Sequence, residues 1–253
     1  MKETIGIRNS KNEMLEVVVS YPNEKDPEGV IIFVHGFGSN LHENFHLFDD
    51  MVKVLHKDYR CIQFSFSGYG GSEGNQEDVT LEKMKDDLKA IIRYATIGDR
   101  PYSVIAHSLG ALVASKTIDP YKCKRILLTS PSQINPMETL SGIQKRIIAS
   151  GGDLNESGIS TYPRTSGEVQ KIGPLFWEKF RTWNFARRLR LIKRQLRDSL
   201  KVIIPKDDEV VKQDGLSFFK YEKINHVVLD GDHNFSKSKD RALLILQVVK
   251  FFQ

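Results

Sequence analysis

Short apolar runs that read as buried strands recur along the chain, with helical patterns between them. Met14 to Val19 and Val30 to Val34 are β-rich, separated by a turn holding Pro22, Asn23, Pro27 and Gly29. Cys61 to Phe66 alternates, while Tyr102 to Ala106, Arg125 to Thr129, Lys201 to Ile204 and Ile224 to Leu229 are short and apolar. Leu81, Met84, Leu88, Ile91 and Ala95 fall on one face at helical spacing, behind Thr80 as N-cap. Ala111 to Thr117 and Leu243 to Phe252 read as further helices. Strands alternating with helices predict an α/β fold, a mostly parallel sheet covered on both faces.

One stretch breaks this rhythm. From about 132 to 197 there is no convincing strand, and glycines and prolines are scattered through it. It reads as a small helical cap inserted over the sheet, the core resuming at Lys201. The 253 residues then make one domain, 1–253, carrying that insertion.

Composition narrows the class. The chain is 40% hydrophobic and 27% charged, ordinary for a soluble globular protein. A net charge of +5 does not point to nucleic acid, because only a clustered excess binds phosphates. Met1 to Ser10 lacks the apolar run of a signal peptide, and Ala242 to Phe252 is too short to span a bilayer. Cys61 and Cys123 each border a strand and read as buried thiols in a reducing cytoplasm. A cytoplasmic protein is the expectation.

In such sheets, sites lie at the carboxyl ends of strands, and the informative residues do follow strands. Ala106-His107-Ser108-Leu109-Gly110 has the strand-to-helix context of a nucleophile elbow, where small residues let the two backbones meet. Position 106 is Ala where the usual pattern has Gly. His35-Gly36-Phe37-Gly38 follows the strand ending at Val34, and its glycines free the Phe37 N–H to turn toward an oxyanion. The Leu109 N–H, at a helix start, is the second donor expected; losing one such donor costs about 3–4 kcal/mol. His35 itself reads as a brace for the loop. An acid cluster, Asp207-Asp208-Glu209, follows the strand ending at Ile204, with Asp208 preferred and Asp207 in reserve. His233, in Gly231-Asp232-His233-Asn234-Phe235, lies in a loop just past a strand and is free to reach Ser108, whereas His226 lies within the strand pattern. The order Ser, Asp, His is that of an α/β serine hydrolase.

With these pieces in place the chain resembles the α/β-hydrolase superfamily over essentially its whole length. It is most similar to the compact serine esterase branch, which includes feruloyl esterases and monoacylglycerol lipase-like enzymes. HGFGSN at 35–40, FSFSGYGGSEG at 64–74, AHSLGA at 106–111, DEVV at 208–211 and GDHNFS at 231–236 carry the resemblance. It points to Asp208 as the acid and makes the Gly68 to Gly74 loop structural. Ser65 and Ser67 stand where the family often has Asp and Arg, and Pro205 where Gly is common.

The resemblance implies Ser108, Asp208 and His233 as catalytic residues, with Phe37 and Leu109 forming the oxyanion hole. The chemistry is cleavage of a small-molecule carboxylic ester through an acyl-enzyme, needing no metal or cofactor. Acyl transfer or thioester cleavage would use the same residues on acyl-CoA or acyl-carrier substrates. An aminopeptidase would need acids in the cap, with Glu168 and Glu178 as candidates, and a non-catalytic binding protein is the remaining alternative. Phe176, Trp177, Phe180, Trp183 and Phe185 would line a pocket or, for most of them, simply pack the cap. On the next helix Arg187, Arg188, Arg190, Lys193, Arg194 and Arg197 form a basic face. Most such faces are merely solvated; beside a lid, this one would suit transient contact with an anionic membrane or an acyl carrier.

Overall fold

The computed structural model describes residues 1–253 apart from 24, 99, 165–166 and 212–214. Its main sheet joins β1 (Lys2–Arg8), β2 (Met14–Ser20), β3 (Val30–Val34), β4 (Arg60–Phe64), β5 (Tyr102–His107), β6 (Cys123–Thr129), β9 (Leu200–Pro205) and β10 (Asn225–Leu229). The spatial order is β1-β2-β4-β3-β5-β6-β9-β10. The pairings β1–β2 and β2–β4 are antiparallel, and from β4 through β3, β5, β6 and β9 to β10 all are parallel.

Helices cover both faces, as the continuous apolar strands require. Side chains alternate across a strand, and those of β3 divide accordingly. Ile31 and Phe33 join the core under α1 (Leu47–Leu55) and α8 (Ser238–Phe252). Val30, Ile32 and Val34 join the larger core on the other face. That core is covered by α2 (Leu81–Ala95), α3 (Leu109–Thr117) and α6 (Phe185–Leu196). Thr80 caps α2, its Oγ1 accepting the Lys83 N–H at 3.1 Å. Cys61 and Cys123 are buried free thiols, and burial raises the pKa of both.

The structure departs from the sequence reading at three places. Strand β1 shows no apolar run, because it is a polar edge strand with only Ile5 and Ile7 packed against the core. The stretch 132–197 is not wholly helical. After α4 (Pro136–Ala149) it forms an antiparallel hairpin, β7 (Ser160–Pro163) with β8 (Val169–Ile172), before α5 (Pro174–Phe180). Four-residue strands are too short to show their alternation against the background. Finally, the basic helix α6 belongs to the body of the fold. Arg188 turns inward, its Nε and Nη2 donating to Ser115 O and Ile118 O at 2.9 and 3.1 Å. A cation thus satisfies carbonyls at the C-terminal end of α3. Arg190 is paired with Glu222 at 2.7 Å. No helix among the described residues is long and apolar enough to cross a membrane.

Candidate active site

Every element of the site hangs from the carboxyl end of a parallel strand. At the end of β5 the chain turns into α3 so sharply that Ser108 adopts φ 53°, ψ −123°, a conformation costly for a residue with a Cβ. The turn brings α3 onto the β3 backbone: a Cβ at Gly110 would lie 2.3 Å from Val34 O and 2.5 Å from His35 O. Both obstacles are main chain, so any side chain here would have to displace backbone, and glycine is the residue that fits.

The turn presents Ser108 Oγ 2.9 Å from His233 Nε2. The other ring nitrogen, Nδ1, sits 3.0 and 2.9 Å from the two Asp208 oxygens. With Nδ1–H donated to the carboxylate, Nε2 is left to accept the serine proton. Asp208 is fixed in turn by the N–H groups of Val210 and Val211, at 2.9 and 2.7 Å on Oδ1. Asp207 is exposed, and its backbone N–H pairs with Gly231 O. The carboxylate that meets the imidazole is therefore Asp208. His233 is held at its main chain as well, its N–H donating to Glu209 Oε2 and its carbonyl accepting from Ser130 Oγ. His226 is half-buried on β10, its Nδ1 2.7 Å from Ile224 O.

Beside Ser108 lies the turn after β3. The Phe37 and Leu109 N–H groups have no protein acceptor among the described residues. A Cβ on Gly36 would sit 3.0 Å from Ser108 Cβ, so the glycine also permits the close approach of the turn. His35 braces it: Nε2 accepts the Phe66 N–H at 3.0 Å while Nδ1 lies 2.8 Å from Gly36 O. Ser65 and Ser67 stitch the neighbouring loop. Ser65 Oγ accepts the Leu41 N–H, and Ser67 donates its N–H and hydroxyl to the buried Asp87.

Two groups near the site have contacts that no motif announces. Glu43, 4% exposed, accepts the Gly36 N–H on Oε2 at 2.5 Å, and the Asn44 N–H and side-chain amide on Oε1. Burial pushes its pKa up, but the neighbouring His107 and His35 and the Gly36 N–H outweigh this and hold it below the usual range. His107 is buried against His233, ring centroids 5.0 Å apart, with Nδ1 3.0 Å from Thr129 Oγ1. Burial lowers its pKa to about 4.

The cap lies over the turn that carries Phe37. Phe176, Trp177, Phe180, Trp183 and Phe185 are all buried, and Phe176 packs on Phe37 at 5.1 Å, so these rings pack the insertion onto the core. Open space lies to either side. A cavity of about 360 Å³ between α4 and the acid loop is lined by Gln133, Lys145, Arg146 and Glu209 among others. Another of about 300 Å³ lies between the Gly38 turn and the cap hairpin, with Arg164, Glu168 and Gln170. Glu178 is exposed and paired with Lys179.

A serine, a histidine and a carboxylate in hydrogen-bonded series at the carboxyl edge of this sheet define the class of protein. Residues 29–156 match the alpha/beta hydrolase fold family, and the chain belongs to it. Palmitoyl-protein thioesterase ABHD10, mitochondrial, of Homo sapiens is 33% identical over 93 residues, 36% of this chain and 29% of that protein. The chain thus spans under a third of the length of the curated relatives it matches. The esterase Est1E from Butyrivibrio proteoclasticus, solved with ferulic acid, superposes with a TM-score of 0.73 at 18% identity, over 98% of this chain and 97% of that one. The Pyrococcus furiosus esterase Pf2001 gives 0.70 at 18%, over 100% and 90%. At these identities the likeness to the two structures is one of fold.

Proposed function

We propose that the protein hydrolyses carboxylic esters of small molecules through an acyl-enzyme on Ser108. The observation that carries this reading is the unbroken series from Ser108 Oγ through His233 to Asp208, each step within 3.0 Å. His233 Nε2 takes the Ser108 proton as Oγ attacks the carbonyl carbon, and Asp208 stabilises the imidazolium. The oxyanion settles between the Phe37 and Leu109 N–H groups. His233 then passes its proton to the leaving alkoxide, and water deprotonated by His233 frees the acid and restores Ser108.

The test compares the protein with Ser108→Ala on p-nitrophenyl esters from acetate to palmitate. Turnover abolished by the substitution is expected. Equal turnover by the variant would assign the activity elsewhere, and none by either protein would overturn the ester reading. A thioester substrate is the second reading, favoured by the likeness to a palmitoyl-protein thioesterase. Acyl-CoA substrates assayed alongside decide between them.

A further inference from the structure

His42, His46 and Asp49 stand where the turn after β3 runs into α1, and their ligand atoms all lie within 4.8 Å of one another. His42 Nδ1 is 2.9 Å from both Asp49 oxygens, and His46 Nδ1 is 2.7 Å from Oδ2. The two ring centroids are 5.7 Å apart. Behind the carboxylate, Gln63, 2% exposed, donates from Nε2 to Asp49 Oδ1 and to Leu41 O, both at 3.0 Å. No lysine or arginine pairs with Asp49 among the described residues.

The backbone adopts an unfavourable path to make this cluster. Glu43, Phe45 and His46 all have φ between 54° and 56°, where a side chain is disfavoured. His46 occupies the N-cap position of α1 yet makes no capping bond; its ring turns to Asp49 instead. A cap with Asn or Gly would be the ordinary solution there. Histidine at this position is accounted for by what its ring reaches.

We propose that His42, His46 and Asp49 form a binding site for a borderline divalent transition metal, Zn²⁺ above all. Two imidazoles and one carboxylate are a donor set for zinc, whereas Ca²⁺ and Mg²⁺ take oxygen ligands. Zinc bonds of about 2.0–2.2 Å in a tetrahedron set donor atoms about 3.3–3.5 Å apart. The present contacts of 2.7 and 2.9 Å need to open by about 0.4–0.8 Å, and the two imidazole nitrogens, within 4.8 Å of each other, adjust to the same spacing. The Nδ1 protons pass to Nε2, the other neutral tautomer, and Gln63 remains as the outer group that orients the carboxylate. Solvent completes the coordination. The ion takes no part in the chemistry at Ser108. Its effect is to tie down the stretch from His42 to Asp49, which contains Glu43, the residue on the Gly36 N–H.

The test is calorimetric titration of the untagged full chain with ZnCl₂, with Co²⁺ absorption reporting the coordination. One equivalent is expected, with tetrahedral cobalt bands and a rise in thermal midpoint on adding metal. His46→Ala, which removes an exposed ring, and the isosteric Asp49→Asn should each weaken binding at least about tenfold. Neither variant should gain the metal-dependent rise in midpoint. Absence of saturable binding would leave a pair of histidine–carboxylate hydrogen bonds only, and would overturn the proposal. Binding that survives both substitutions would place the ion elsewhere, the Asp208–His233 pair included, and would overturn it too.

Discussion

The Gly36 N–H donates to Glu43 Oε2 over 2.5 Å, tying the turn that carries Phe37 to a buried carboxylate seven residues further on. In the proposed mechanism, this contact occupies the Gly36 amide and leaves the next N–H, that of Phe37, for the oxyanion. Glu43→Ala should strand the Gly36 donor and release the turn. A hydrogen bond to a charged group contributes about 1.5–3 kcal/mol, so a fall of about 10- to 100-fold in kcat is expected. KM should change far less, because the loss is felt chiefly in the transition state. A fall in kcat no larger than for an arbitrary buried substitution of equal stability cost would leave Glu43 a purely structural group.

Asp208 and Asp207 are adjacent in sequence but unequal in place. Asp208→Asn should lower kcat by about 10³- to 10⁴-fold through the wrong imidazole tautomer, as in other Ser-His-Asp sites. Asp207→Asn should leave kcat within about twofold, since surface changes away from special contacts are small. Steady-state kinetics on one ester measures both.

Gly110→Ala would place a methyl group 2.3 and 2.5 Å from two β3 carbonyl oxygens. The elbow must open or the strand must shift, at a cost of about 1–3 kcal/mol or more. A lower urea midpoint together with lost turnover is expected; an unchanged midpoint would show that the turn relaxes freely.

Acid should weaken the fold in a defined window. Burial, the largest influence on both His35 and His107, lowers their pKa values, against the opposing pull of Glu43; that of His107 falls from 6.5 to about 4. Between those two values the unfolded chain binds a proton at His107 that the folded chain refuses. The contribution of His107 is therefore complete above about pH 6.5 and declines as pH falls toward 4, by up to about 1.4 kcal/mol per pH unit. Urea midpoints measured from pH 8 to 4 should show the decline, and His107→Gln should make it shallower whatever that variant's absolute stability.

Arg188→Ala should remove both donors from the end of α3 without touching the site. Losing such charged hydrogen bonds costs about 1.5–3 kcal/mol, and at this chain length each kcal/mol moves the thermal midpoint by about 2–4 °C. Thermal unfolding followed by circular dichroism would register it.

The parts of the site that were legible in the sequence share one property: each follows a strand whose apolar run announces it. Ser108 after β5, Asp208 after β9, His233 after β10 and the Gly36 turn after β3 could be placed because strand ends are visible as breaks in hydrophobicity. Glu43 could not, because it acts through a main-chain N–H that any residue offers and no motif marks it; Glu209 stands in the acid cluster, but its bond to the His233 N–H shows only in the fold. The parallel core was legible from continuous burial. Edge strand β1 and the cap hairpin were not: β1 is largely polar, and the hairpin's strands of four residues are too short to show their alternation. On α6, periodicity places Arg188 on the basic face with its neighbours, but cannot show that the carbonyls ending α3 lie opposite it.

The chain leaves the main sheet at Thr129 and rejoins it at Leu200, yet β6 and β9 pair directly, Ile126 with Leu200 through Thr129 with Ile203. The sheet closes beneath the detour as though it were not there, and Ser108, Asp208 and His233 all lie outside it. The stretch from α4 to α5 is therefore a cassette. It can lengthen, shorten or be exchanged without changing the register of β6 against β9.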